Sequence, residues 1–223
     1  MYVFLAHLHK LTVYGFGNVV HQIPTVSYNQ PLSAIFSKPR IKLTMKLFQF
    51  LNKKNEEKFK CICCGKIYDE IPLTFGSDYP NYYYSIPENE ISERVEYQKS
   101  LCIIDEHFFH RVRIEIPIIN YKENLNFDIW TSISEENFIK RNEDWENANR
   151  INNEPYFGWL QNEIPTYENT LNLKTISKEN EPGIIPNAKI LEENNQLQVD
   201  QQNGITLEKA IEIAQKILKI QHN

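Results

Sequence analysis

The residues best equipped for chemistry form a cysteine-rich turn at positions 61–66, which read C-I-C-C-G-K. Cys61 and Cys64 have the C-x-x-C-G spacing of a zinc knuckle, in which a tight turn directs two thiolates at one ion. Gly65 suits such a turn because it accepts a positive φ without a Cβ clash. The motif predicts half of a zinc site, since structural zinc needs four ligands.

The other two ligands must come from elsewhere, because the chain has no second C-x-x-C pair. We predict Cys102 and His107, with His110 as the other candidate histidine, since a strand turn could bring them near. The alternative is that Cys102 is a small buried hydrophobic residue within an apolar stretch. Cys63 is not expected to assist a redox role of the motif, because adjacent residues of a strand such as Cys63 and Cys64 point to opposite faces.

Other catalytic chemistry has little support in the sequence. A redox role for the C-x-x-C pair would require a thiol of low pKa at a helix N-terminus, and the surroundings of the motif look strand-like. There is no G-x-S-x-G elbow, no H-E-x-x-H helix and no glycine-rich phosphate loop, and the chain has only 7 glycines. We therefore expect a protein that is not an enzyme.

Composition excludes several classes of function. Hydrophobic content of 41% with 12% aromatic residues predicts a folded chain, and a net charge of −5 without a basic stripe disfavours nucleic-acid binding. No apolar run reaches the length of a membrane-spanning helix. Four cysteines, three of them crowded together, do not form a secreted disulfide framework, so we expect a cytoplasmic protein.

The first 44 residues differ from the rest because they contain no Asp or Glu. They show no sustained helix or strand period, and an ordinary N-terminus follows at Met45. We predict that Met45 is the true start, that residues 1–44 are an extension outside the native fold, and that residues 45–223 form a single domain. A native extension and a targeting peptide are the alternatives, the second weakened by the lack of the usual signal pattern.

Beyond Met45 the pattern predicts an α+β fold with an antiparallel or mixed sheet and about three helices. The first helix is expected from Pro87 to about Tyr97, because proline suits a first helical turn. Strands are expected over residues 59–63, 101–105, 108–119, 127–133, 171–176 and 188–199. Alternating residues over 111–116 predict a strand with one wet face, which favours antiparallel pairing.

Two further helices carry N-cap signals. Ser134 precedes two glutamates and is expected to cap a helix that ends near Asn149. Thr206 begins the clearest helical pattern in the chain, with apolar residues on one face and charged residues on the other. We expect this C-terminal amphipathic helix to pack on the sheet.

Ten segments in a fixed order resemble the bacterial family called domain of unknown function 2199. They are CxxCGK at 61–66, IPL at 71–73, ERV at 93–95, LCIID at 101–105, FF at 108–109, IPI at 116–118, WTSISEENF at 130–138, YFGWL at 156–160, LNLK at 171–174 and QxxGIT at 201–206. The resemblance spans about residues 58–220 and begins after Met45. It implies a small bacterial cytoplasmic protein with no assigned reaction.

The chain departs from that family pattern at two places. Tyr68 stands where the pattern has His, and Asn195 with Gln196 stands where it has a His-Pro pair. If the family binds zinc through cysteines and those histidines, the two departures predict that this member has lost the ion and keeps a vestigial site, or that its site is altered. We expect a protein-interaction or regulatory module with a zinc-knuckle-like site and a protein partner. The alternatives are a metal-dependent enzyme and an acidic immunity-type protein that binds a toxin.

Overall fold

The computed structural model describes residues 58–222, which form ten strands and four α-helices. The strands are β1 (Phe59–Lys60), β2 (Ile67–Tyr68), β3 (Thr74–Gly76), β4 (Val95–Gln98), β5 (Leu101–Ile104), β6 (His107–Ile116), β7 (Leu125–Ser132), β8 (Tyr156–Trp159), β9 (Lys174–Lys178) and β10 (Asn187–Ile190). The helices are α1 (Ile91–Arg94), α2 (Glu135–Glu143), α3 (Gln196–Asn203) and α4 (Leu207–Gln221). Short 3-10 segments cover Asn81–Ser85, Glu88–Glu90 and Ala148–Asn152.

Eight of these strands form one mixed sheet built around β6. The main order is β3-β7-β6-β10-β9-β8, and β5 joins the other half of β6 and carries β4. Most pairs are antiparallel, whereas β3 pairs with β7 and β10 with β6 in parallel. The predicted α+β class with a mixed sheet is confirmed.

The far edge of the sheet bends back until β8 lies beside β7. Thr131 and Leu160 form an isolated antiparallel bridge, and the Trp159 amide donates to the Ser132 hydroxyl over 2.9 Å. Gly158 permits this approach, because a Cβ at that position would collide with the carbonyl oxygen of Ser132. Strands β7 and β8 are therefore held close together at the point where the side chains of Phe157 and Trp159 face outward.

The C-terminal helix covers the main core, as its pattern predicts. Thr206 caps α4 by accepting a hydrogen bond from the Lys209 amide. The buried face of α4 consists of Ala210, Ile213, Ala214, Ile217 and Leu218. These side chains belong to the same hydrophobic cluster as the inward residues of β6 and β7. Ser134 caps α2 in the same way, although α2 ends at Glu143 rather than near Asn149.

Several expected elements are wrong over part of their length. The strands predicted over residues 59–63 and 171–176 are shorter, because β1 ends at Lys60 and β9 begins at Lys174. The helix predicted from Pro87 to Tyr97 is reduced to a 3-10 turn and the single turn α1, after which Val95 enters β4. Pairing with β5 satisfies the backbone groups of residues 95–98 in a ladder and overrides their weak helical pattern. The strand predicted over residues 188–199 ends at Ile190, and α3 follows, capped by the Asn195 side chain.

None of the described helices combines the length and apolar character needed to cross a bilayer. The predicted start at Met45 and the extension of residues 1–44 lie outside the described residues, as does the first part of the predicted domain of residues 45–223.

Candidate metal centre

The first half of the site is the turn between β1 and β2. The Cys61 amide donates to the carbonyl of Lys66, and the Gly65 amide donates to the carbonyl of Cys61, each over 2.9 Å. Gly65 has a φ of 73°. A positive φ is the conformation for which a glycine was expected at this position. Cys61 is fully buried, while Cys63 and Cys64 are exposed.

The second half of the site is the C-terminal end of α4. Gln215 fixes the helix against the turn, because its side chain donates to the carbonyl of Lys60 and accepts from the amide of Ile62. His222 follows Gln215 by seven residues, which is close to two helical turns, so the two side chains lie on one face. Helix α4, which covers the core, therefore also places His222 beside the cysteine turn.

Four ligand atoms converge at this junction. One atom each from Cys61, Cys63, Cys64 and His222 lies within 4.8 Å of the others. The Cys61 and Cys63 sulfurs are 2.9 Å apart, and the Cys63 sulfur lies 3.3 Å from Nδ1 of His222. Thiolate and imidazole are the donors that soft and borderline transition metals prefer. The group could hold a metal ion.

The contact between the Cys61 and Cys63 thiols shifts their pKa values in opposite directions. A hydrogen bond from Cys63 lowers the pKa of Cys61 to about 6. The same hydrogen bond raises the pKa of Cys63 to about 11, since that thiol keeps the shared proton. One thiolate is therefore already favoured near neutral pH, and metals bind the thiolate form.

The structure brings together only part of the predicted ligand set. Cys61 and Cys64 lie in the cluster, whereas Cys102 and His107 do not. Cys102 is fully buried on β5 against Ile104 and Trp130, and burial raises the pKa of its thiol to about 11. Cys102 therefore packs as a small buried hydrophobic residue, which was the alternative interpretation of its sequence.

The two histidines around β6 differ in environment. His107 is exposed and packs its ring edge against Tyr82, with ring centroids 5.6 Å apart. His110 is buried, 5.9 Å from the ring of Tyr156. Neither histidine belongs to the four-residue metal group.

The two positions that depart from the family pattern lie outside the cluster as well. Tyr68 packs edge-on against Phe59 and lies under the Lys66 ammonium group. Asn195 accepts a hydrogen bond from the Leu197 amide as the N-cap of α3. Their side chains thus have structural contacts of their own.

Sequence reasoning missed Cys63 and His222. Cys63 was considered only for a redox role and set aside there on the assumption of an extended strand, but residues 62–64 form a turn, in which neighbouring side chains need not diverge. The sequence did offer a signal for His222. It is a residue type that binds metals, and it stands at the end of a strongly amphipathic helix, beside the apolar face. Nothing in the local sequence links positions 159 residues apart.

The fold and the site together define an α+β protein whose C-terminal helix and cysteine turn share a Cys3His group. The profile of a family described as "Uncharacterized protein conserved in bacteria (DUF2199)" matches residues 60–205, and the chain belongs to that family. The match includes the three clustered cysteines and ends before His222. No curated protein and no solved structure matches the chain.

Proposed function

We propose that this protein binds one zinc ion in the Cys3His group and acts as a non-catalytic interaction or regulatory module of the bacterial cytoplasm. The observation that carries the proposal is the convergence of three sulfurs and one imidazole nitrogen within 4.8 Å. Cys3His is one of the usual ligand sets of structural zinc. The acidic net charge of −5 favours partners other than nucleic acid.

The separations between the ligand atoms support a tetrahedral ion. With Zn–S and Zn–N bonds of about 2.3 and 2.1 Å, two sulfurs lie about 3.8 Å apart and a sulfur and a nitrogen about 3.6 Å apart. The Cys63 sulfur and His222 Nδ1, at 3.3 Å, are already near that value. The Cys61 and Cys63 sulfurs, at 2.9 Å, need to separate by roughly 1 Å, which the exposed turn can accommodate.

A structural role follows from the number of ligands. Catalytic zinc usually has three protein ligands and an open position for water or substrate, whereas structural zinc has four protein ligands. This chain offers four, and they come from segments separated by 159 residues. The ion would tie the end of α4 to the β1–β2 turn and thereby stabilise the helix that covers the core.

Metal analysis of the purified full-length chain tests the proposal. We expect one zinc per chain in the wild type and loss of zinc in the Cys63→Ser and His222→Gln variants, whose side chains are exposed, so that folding is retained. Cys102→Ser and His107→Gln are the controls and should keep the metal. A metal-free wild type, or full zinc occupancy in both Cys63→Ser and His222→Gln, would overturn the proposal.

Cobalt substitution separates a closed structural site from a catalytic one. Tetrahedral Co²⁺ held by three sulfurs and one nitrogen should show visible absorption that added azide or cyanate leaves unchanged. A spectrum that shifts on adding these anions would reveal an open position and favour the metal-dependent enzyme instead.

A further inference from the structure

A large open cavity lies far along the chain from the metal ligands, where β6 begins, β7 ends and β8 passes. Its volume is about 960 Å³. The residues that line it include the aromatic side chains of Phe157 and Trp159 from β8 and Phe108 from β6. A volume of this size is in the usual range for a small-molecule site.

Two of the rings form a corner that opens to solvent. The rings of Phe157 and Trp159 meet at 82° with centroids 4.8 Å apart, and 43% and 45% of these residues remain exposed. Folding normally buries such large apolar surfaces, so their joint exposure on one wall of a cavity requires an explanation. In a perpendicular pair the edge of one ring lies against the face of the other, and the ring faces that this contact leaves uncovered remain open to a ligand group.

The corner is held in place by the backbone beneath it. Gly158 lies between the two aromatic residues and brings β8 into contact with the Ser132 carbonyl. The Trp159 amide donates to the Ser132 hydroxyl over 2.9 Å. The rings therefore project from a closely braced strand rather than from a loose loop, as a preformed binding site requires.

The lining of the cavity includes two carboxylates. Glu106 and Glu135 line it together with His107, and none of the described lining residues is Lys or Arg. Amide side chains of Asn81, Asn137 and Gln161 supply neutral polar groups. An anion would meet two carboxylates here, whereas a cation would meet complementary charge together with aromatic faces.

We propose that this cavity binds a small organic cation, a substituted ammonium group seated in the corner between Phe157 and Trp159. Aromatic faces attract such cations through the ring quadrupole, and methyl groups on the nitrogen add apolar contact with the rings. Glu106 and Glu135 supply the balancing charge at the rim. The cavity shares no residue with the metal centre, so the test of cation binding is independent of the test of zinc binding.

Choline is the probe that tests the site, and its neutral carbon isostere, with a tert-butyl group in place of trimethylammonium, is the matched control ligand. Binding is followed by ligand-observed NMR on the full chain, with intrinsic fluorescence, to which Trp159 contributes as one of 3 tryptophans, as a second readout. We expect millimolar or tighter binding of choline, about fivefold tighter than that of the isostere. Equal affinity for the two ligands, or no choline binding at millimolar concentrations, would overturn the proposal.

Variants then assign the binding to the corner. Trp159→Leu and the double change Glu106→Gln with Glu135→Gln should each weaken choline binding, and the second should leave the isostere unaffected. Tyr84→Leu removes an exposed ring that does not line the cavity and should bind like the wild type. Thermal unfolding verifies that each variant is folded. Wild-type choline affinity in folded Trp159→Leu protein would contradict the assignment.

Discussion

The sulfur of Cys63 lies 3.3 Å from Nδ1 of His222, across 159 residues of sequence. This contact joins an exposed turn near the start of the described chain to the last turn of its longest helix. The helix also buries five apolar side chains in the main core. A ligand that bridges the two residues would therefore act on the stability of the fold as well as on the turn.

Removing the bridge should loosen the end of α4. In the His222→Ala variant, or after chelation of the wild type, we expect amide hydrogen exchange over the last two turns of α4 to rise about tenfold, since a helix end without tertiary contacts opens by local unfolding. Gln221→Ala alters an exposed neighbour and serves as the control. Unchanged exchange in the His222 variant would show that no ion holds the helix end.

Glu179 lies between two buried arginines, and its replacement should be strongly destabilising. Its carboxylate pairs with Arg141 at 3.2 Å and with Arg150, and all three side chains are essentially buried. Glu179→Gln leaves two buried cations without a counter-charge, so the free energy of unfolding should fall by about 3–5 kcal/mol. Glu181→Gln, at an exposed position, should be near neutral in the same denaturant titration. A loss no larger than that control would contradict the assigned role.

His110 should make stability depend on pH. Burial, with a smaller contribution from the nearby Arg141 charge, lowers the pKa of His110 well below its ordinary value. The unfolded chain then binds a proton that the folded chain does not, so stability is lost as pH falls below the unfolded-state pKa of about 6.5, by up to about 1.4 kcal/mol per pH unit.

Denaturant unfolding between about pH 5 and pH 8 measures this slope, above the range in which most carboxylates titrate. The comparison is made in a Cys61→Ala background, because the Cys61 thiol, with its pKa lowered to about 6, adds a slope of the same sign in this range. In that background His110→Gln should flatten the slope whatever its effect on overall stability. A slope that survives the His110 change would assign the pH dependence to another group.

Gly158 should be intolerant of even a methyl group. Its added Cβ would strike the Ser132 carbonyl, so Gly158→Ala should lower the free energy of unfolding by about 2 kcal/mol or more. Gly183→Ala is the matched control, because no atom lies within 4 Å of its added Cβ and only its positive φ opposes the change. Its cost should be about 1 kcal/mol. Equal losses at the two glycines would mean that β8 and β7 can separate freely.

Much of the fold follows from local patterns. The caps at Ser134 and Thr206 and the alternation over residues 111–116 each reflect interactions within a few residues, and the structure contains all three. Helix α3 was missed because its buried residues, Leu197 and Asp200, do not form an apolar stripe. Its formation depends on the Asn195 cap and on contacts with the rest of the fold.

The candidate site was predictable only in part for the same reason. Cys61 and Cys64 could be recognised from their spacing, because a turn is local. The partnership with His222 depends on the path of the whole chain between them, which sequence spacing does not encode. Cys102 and His107 are close in sequence to one another, but β5 and β6 carry them into other surroundings.

X-ray absorption at the zinc edge of the purified full-length protein tests the central claim most directly. We predict a first coordination shell of three sulfurs at about 2.3 Å and one imidazole nitrogen at about 2.1 Å. His222→Gln should lose the imidazole contribution. A shell dominated by oxygen, or an unchanged imidazole signal in the His222 variant, would contradict the account.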